Sequence, residues 1–125
     1  MNQGLTEINQ LAGVWGNFIC SNQAKINASA LPPEFNKSSS GNIARHAVEV
    51  ISTGGETIQE LQEIVIHFQR RRLFILDLQQ AILVVICTPG VDISLLRMTI
   101  NILTTSWESD VEVQKQLKQN FEERL

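Results

Sequence analysis

The chain has 125 residues, 43% of them hydrophobic, and a formal net charge of −3. That length suits one domain able to bury roughly two-thirds of its unfolded surface, which excludes a disordered chain. The acidic balance gives no general attraction to nucleic acid or to an anionic membrane, and no apolar run approaches the roughly 18 residues that a membrane span needs.

Leu5–Leu11 predicts a short helix with Leu5, Ile8, Leu11 and Ala12 on one side, too short to stand without docking on a body. Gly13 ends it, and Val14–Cys20 reads as a strand with Val14, Phe18 and Cys20 on one face and Trp15 and Ile19 on the other. Ser21-Asn22-Gln23 supplies a turn. Lys25–Leu31 is a second strand, Ile26, Ala28 and Ala30 against Asn27 and Ser29, whose weak apolar content suits an outer position. Pro32-Pro33 stops it, since proline cannot donate to a ladder. Ser39 or Ser40 then caps a helix starting near Gly41. Its inner stripe is Ile43, Ala44, Ala47, Val48, Val50 and Ile51; its outer arc is Asn42, Arg45, His46, Glu49, Ser52 and Thr53. Gly54-Gly55 ends it.

Ile58–Arg70 returns to alternation, with Ile64, Ile66 and Phe68 facing inward from Glu63 onward. Arg70-Arg71-Arg72 leads into the stretch around which the chain is organised. Leu73–Leu78 and Ala81–Cys87 are separated only by Gln79-Gln80, a gap that allows only a tight antiparallel hairpin. The run AILVVIC has no polar residue, so its strand must be covered on both faces. The first run also offers apolar groups both ways, Phe74, Leu76 and Leu78 against Leu73 and Ile75. Thr88-Pro89-Gly90 breaks the last strand, and Asp92 is a helix N-cap. Ile93–Trp107 carries one stripe of Ile93, Leu96, Ile100, Leu103 and Trp107 and a second group of Leu95, Met98 and Ile102. A helix apolar over more than half its circumference needs two partners, expected to be the sheet and the first helix. Ser109-Asp110 restarts a helix with Val113, Leu117, Phe121 and Leu125 in its stripe. The expectation is one domain over 1–125, with 108–125 a C-terminal helical extension.

Several chemistries lack their residues. Gly54-Gly55 is not followed by a Lys-Ser or Lys-Thr step and no GxGxxG is present, so no phosphate loop is expected. His46 and His67 have no second ligand at metal spacing. Cys20 and Cys87 lie in strands, belong to no CxxC pair and have no His-based activating partner; they read as reduced core thiols. A small enzyme using either cysteine is the reading this disfavours. The N-terminus MNQGLTEINQ lacks the basic and apolar regions of a signal peptide. The expectation is a cytoplasmic protein that is not an enzyme and carries no cofactor or metal. Arg70-Arg71-Arg72 is the sharpest charge feature. It reads as a solvated turn, with contact to an acidic partner or an arginine supplied to a phosphate site as the rival.

Leu11-Ala12-Gly13-Val14-Trp15-Gly16 at the first strand and the block Ile64–Ile102 give the chain its resemblance to the Roadblock superfamily, the dynein light-chain Roadblock and its bacterial and archaeal relatives. The turn Ser21-Asn22-Gln23-Ala24 departs from the acidic-glycine turn frequent in that family. The resemblance implies an α+β sandwich: a central five-stranded antiparallel sheet with one helix on one face and two on the other, in the order α-β-β-α-β-β-β-α. It also implies a homodimer joined through the third strands, which makes Ile64, Val65, Ile66, His67 and Phe68 the candidate interface. Members of this family bind or regulate small Ras-like GTPases, as a relative in gliding bacteria does, or serve as scaffold subunits in motor and signalling assemblies. Arg45, His46 and Glu49 are the candidate partner surface, with Phe121 and Leu125 as a rival anchor.

Overall fold

The computed structural model describes residues 2–35, 37–54, 62–65, 71–78 and 81–122. Among these the elements are α1 (Asn2–Asn9), β1 (Val14–Cys20), β2 (Ile26–Ala30), α2 (Lys37–Gly54), β3 (Gln62–Val65), β4 (Arg72–Asp77), β5 (Ile82–Cys87), α3 (Ile93–Glu108) and α4 (Val111–Glu122). The strands are antiparallel, in spatial order β2-β1-β5-β4-β3.

The hairpin β4–β5 is the centre of this arrangement. Asp77 pairs with Ile82, and the Leu78 N–H donates to the Ala81 carbonyl at 2.8 Å, closing the connection. All six residues of β5 are buried, because both faces of the sheet are covered. On one face Phe18, Cys20, Leu73, Ile75, Ile82, Val84 and Ile86 meet Ile43, Ala44 and Ala47 of α2. On the other, Ile19, Phe74, Leu76, Leu83, Val85 and Cys87 meet Leu5 and Ile8 of α1, Leu96, Ile100 and Trp107 of α3, and Val113 and Leu117 of α4. Burying side chains of this size contributes about 1.5–3 kcal/mol each, so these two layers outweigh any surface term.

The expected architecture needs correction on two counts. The described residues hold four helices, one on one face and three on the other, in the order α-β-β-α-β-β-β-α-α. α4 is added to the α1 and α3 layer because Val113 and Leu117 are buried there. Nor do the five strands contribute equally to the sheet. Four strands, β2-β1-β5-β4, make the body, and β3 adds only the four residues Gln62–Val65 along β4.

Two β-bulges correct the expected faces. Strict alternation puts Val14 with Phe18 and Trp15 with Ile19, but the register of β1 against β5 shifts between Val14 and Gly16. Val14 therefore packs with the α1 and α3 layer and Trp15 with the α2 layer. A second shift, between Ile19 and Cys20 against β2, separates Ile26 from Ala28 and Ala30 in the same way. α1 is one turn earlier than expected, and its place is fixed by polar bonds. The buried Asn17 side-chain N–H groups donate to the Leu5 carbonyl at 2.8 Å and to Asn9 Oδ1 at 2.6 Å, while Asn9 donates to the Ala30 carbonyl at 2.8 Å. α2 starts at Lys37, so the serines expected as caps lie inside its first turn.

α3 starts as expected: Asp92 is extended, and its Oδ1 accepts from the Leu95 N–H at 3.1 Å. Its contact with α1 runs through Trp107, tight against Gly4. The group Leu95, Met98 and Ile102, expected to find a second partner within the fold, stays exposed.

Candidate interaction site

α2 is positioned by its inner stripe. Ile43, Ala44 and Ala47 are buried against the sheet and Val48, Val50 and Ile51 are partly buried beside them. Helical geometry then commits Asn42, Arg45, His46, Glu49 and Ser52 to the outer side, and all five are exposed. The outer ridge is linked along its length. Arg45 Nη2 donates to Asn42 Oδ1 one turn back. His46 Nδ1 and Glu49 Oε2 are 4.0 Å apart, with side chains 65% and 75% exposed. Surface pairs of this kind contribute little to stability. Their consequence is a mixed-charge ridge that presents donors and acceptors to whatever meets it.

The other candidate residues fall in several places. Ile64 and Val65 lie in β3, with Ile64 opposite Leu73 and Val65 opposite Arg72 of β4. Among the described residues β3 is the last strand of the order, with β4 as its one neighbour. Ile66, His67 and Phe68 lie outside the described residues, as does Leu125. Phe121 belongs to the last turn of α4. The structure thus places Arg45, His46 and Glu49 on one ridge and Ile64 and Val65 on an edge strand.

The arginine cluster has a different environment from the one expected. Arg70 lies outside the described residues. The Arg71 guanidinium lies 3.6 Å from the centroid of the Trp15 ring, and Trp15 packs on Phe35 with ring centroids 4.5 Å apart. Arg72 donates to the Pro89 carbonyl at 3.4 Å and stands over Phe74. Two of the three arginines are therefore held against the protein's own surface instead of projecting from a solvated turn. Phe35 also borders a groove of about 570 Å³ lined by Ala24, Ile26, Leu31, Pro32 and Ser40, between β2 and the start of α2. Sequence reasoning missed this cluster, because Trp15, Phe35 and Arg71 share no local spacing and the bulge that turns Trp15 toward Phe35 has no signal of its own. Cys20 and Cys87 are not joined in a disulfide and have no exposed surface. Among the described residues no group of three His, Cys, Asp or Glu side chains is placed to hold a metal ion, and no helix is long and apolar enough to cross a membrane.

No protein-family model matches the sequence, and no curated protein matches it. Solved structures do match. The Roadblock/LC7 domain from Streptomyces avermitilis superposes with a TM-score of 0.68 at 13% identity, over 86% of this chain and 94% of that one. Myxococcus xanthus MglB matches with a TM-score of 0.61 at 15% identity, over 98% of this chain and 94% of that one. The gliding protein MglB from Thermus thermophilus matches at 0.55 and 16% identity, over 97% of this chain and 87% of that one. The chain has the Roadblock/LC7 α+β fold, and at these identities the likeness reaches the fold alone.

Proposed function

We propose that this Roadblock-fold chain is a dimeric, non-enzymatic interaction module that binds or regulates a small Ras-like GTPase through the outer face of α2. The observation that carries the proposal is the ridge Asn42, Arg45, His46 and Glu49, exposed along one side of a helix whose other side is fixed to the sheet. A mixed-charge surface with little apolar area suits a contact that forms and dissolves, as a regulator needs. The likeness to the MglB structures supports a regulator of this kind. The β3 edge supports dimerisation: a strand paired on one side among the described residues is a template for a second copy, and joining two β3 strands would set two α2 ridges side by side. The buried thiols leave no exposed sulfur nucleophile, which argues against the cysteine-enzyme reading.

The test is a pull-down from the native host followed by titration of the GTPase recovered. Arg45→Glu is expected to weaken binding at least several-fold while sedimentation still gives a dimer. Val65→Pro removes a ladder donor and is expected to weaken the dimer. Truncation after Asp110 removes the rival anchors Phe121 and Leu125. If truncation abolishes binding and Arg45→Glu does nothing, the α2 surface is the wrong one. If no GTPase is recovered by an intact dimer, the GTPase reading itself fails.

A further inference from the structure

We propose that the outer face of α3 is a self-association surface, on which a second copy of this chain docks helix against helix. Leu96 and Ile100 of α3 are fully buried, while Leu95, Met98 and Ile102 on its far side are 40%, 54% and 64% exposed. Their spacing of three and then four residues aligns them in one stripe along the cylinder. The three side chains present on the order of 300 Å² of apolar surface, comparable to the largest patch on an ordinary monomer, and such patches are often functional.

The symmetry and charge of the stripe identify its occupant. Leu95 and Ile102 flank Met98 at nearly equal distances. Two α3 helices running antiparallel about a two-fold axis at Met98 therefore set Leu95 of each copy against Ile102 of the other, and Met98 against its own counterpart. A contact of this kind fails when a charge on the face meets its own symmetry mate. Here the residues beside the stripe are Ser94, Thr99, Asn101 and Thr105, all uncharged. Arg97, the one cation of α3, lies well round the cylinder. In the same register the N-cap Asp92 falls opposite Thr105, so the charges of α3 do not meet their own kind. Antiparallel helices also oppose the positive end of each macrodipole to the negative end of the other. A lipid surface fits less well, because an interfacial helix carries basic residues beside its apolar stripe and this one carries none.

Two such stripes bury roughly 600 Å², about half of what a stable interface requires. The contact is therefore weak between single chains and gains strength where copies joined through another surface present two stripes at once. It uses neither the α2 ridge nor the β3 edge, so its failure and the failure of the proposed function are separate results.

Sedimentation equilibrium from micromolar to near-millimolar chain concentration, on the wild type and Met98→Glu, tests the proposal. The wild-type mass is expected to rise with concentration beyond the species joined at β3, and Met98→Glu, which places two carboxylates at the two-fold axis, is expected to stop at that species with an unchanged circular dichroism spectrum. A second variant keeps the test independent of this charge. Met98→Cys is expected to form a disulfide between two copies under mild oxidation, and Arg97→Cys to form none; the parent chain is the control, its own thiols being buried. Equal masses for wild type and Met98→Glu at every concentration, or equal cross-linking at positions 97 and 98, overturn the proposal. A host protein retained by the wild type and lost by Met98→Glu, with no change in wild-type mass, assigns the stripe to a foreign partner and equally overturns it.

Discussion

Gly13 holds together the two loops at one end of the sheet, and Gly13→Ala should be among the most costly small changes in the chain. Its φ is +91°, where an L side chain is strained by about 1–2 kcal/mol. A Cβ at this position would lie 2.7 Å from Val91 Cα and 3.0 Å from both Val91 N and Val91 Cβ. Neither side can retreat easily. The Gly13 carbonyl accepts from the Thr88 N–H at 2.8 Å and from Thr88 Oγ1 at 3.3 Å, and the Val91 N–H donates to the Thr88 carbonyl at 3.2 Å. Overpacking against backbone adds about 1–3 kcal/mol, so the expected loss is about 2–5 kcal/mol. For a chain of this size that lowers Tm by on the order of 10 °C. Urea unfolding followed by tryptophan fluorescence measures it, since Trp107 is buried and Trp15 is packed against Phe35. Gly90→Ala, in the neighbouring loop, is the control. Its Cβ meets nothing within 4 Å, and the substitution is expected to be neutral or to stabilise by about 0.4–1 kcal/mol through the unfolded state. A Gly13→Ala protein as stable as Gly90→Ala would refute the reasoning.

Three other outcomes are expected. Asp92→Ala removes the side chain that accepts from the Leu95 N–H and should cost about 1 kcal/mol in thermal unfolding, whereas Asp92→Asn should restore most of it. Asn17→Leu deletes the buried donors to Leu5 and Asn9 and should cost about 1–3 kcal/mol, with hydrogen exchange of α1 accelerating before that of β5. Raising the salt concentration should weaken the proposed GTPase binding at the α2 ridge, where the side chains are exposed and charged, and leave the proposed α3 self-association unchanged or stronger; the opposite pattern would mean the two surfaces are misassigned.

Much of the fold is legible in the chain because it rests on local periodicity. The antiparallel pairing of Leu73–Leu78 with Ala81–Cys87, the fully apolar β5, and the opposite faces of Phe74 and Leu76 against Leu73 and Ile75 all follow from strand geometry, and the structure has them. So does the α2 stripe, and with it the exposure of Arg45, His46 and Glu49. The errors sit where a long-range contact overrides a period. A bulge turns Val14 and Trp15 the opposite way from alternation, and nothing in Val14-Trp15-Gly16 distinguishes a bulge from a straight strand. Gly16 fits it only in hindsight, since its Cβ would meet Pro32 at 2.9 Å, a residue placed there by the return of β2. Arg71 reads as solvated in the sequence because its aromatic partner comes from a strand far earlier in the chain.

The α3 expectation held for its two partners, the sheet and α1, and failed for its second apolar group. The fold buries Leu96, Ile100 and Trp107 and leaves Leu95, Met98 and Ile102 open. Charged residues are 18% of the chain, yet α3 carries only Arg97 and Glu108 in its sixteen residues, and neither lies in the stripe. A helix whose far side faces water in its working state has no physical reason to keep that side uncharged, and α2 shows the contrast, with Arg45 and Glu49 on its open face. Periodicity locates apolar faces without saying which the chain's own fold will cover. Subtracting the core that the structure uses from the faces that the sequence predicts leaves the Leu95, Met98 and Ile102 stripe, and with it the place where a second chain has something to bury.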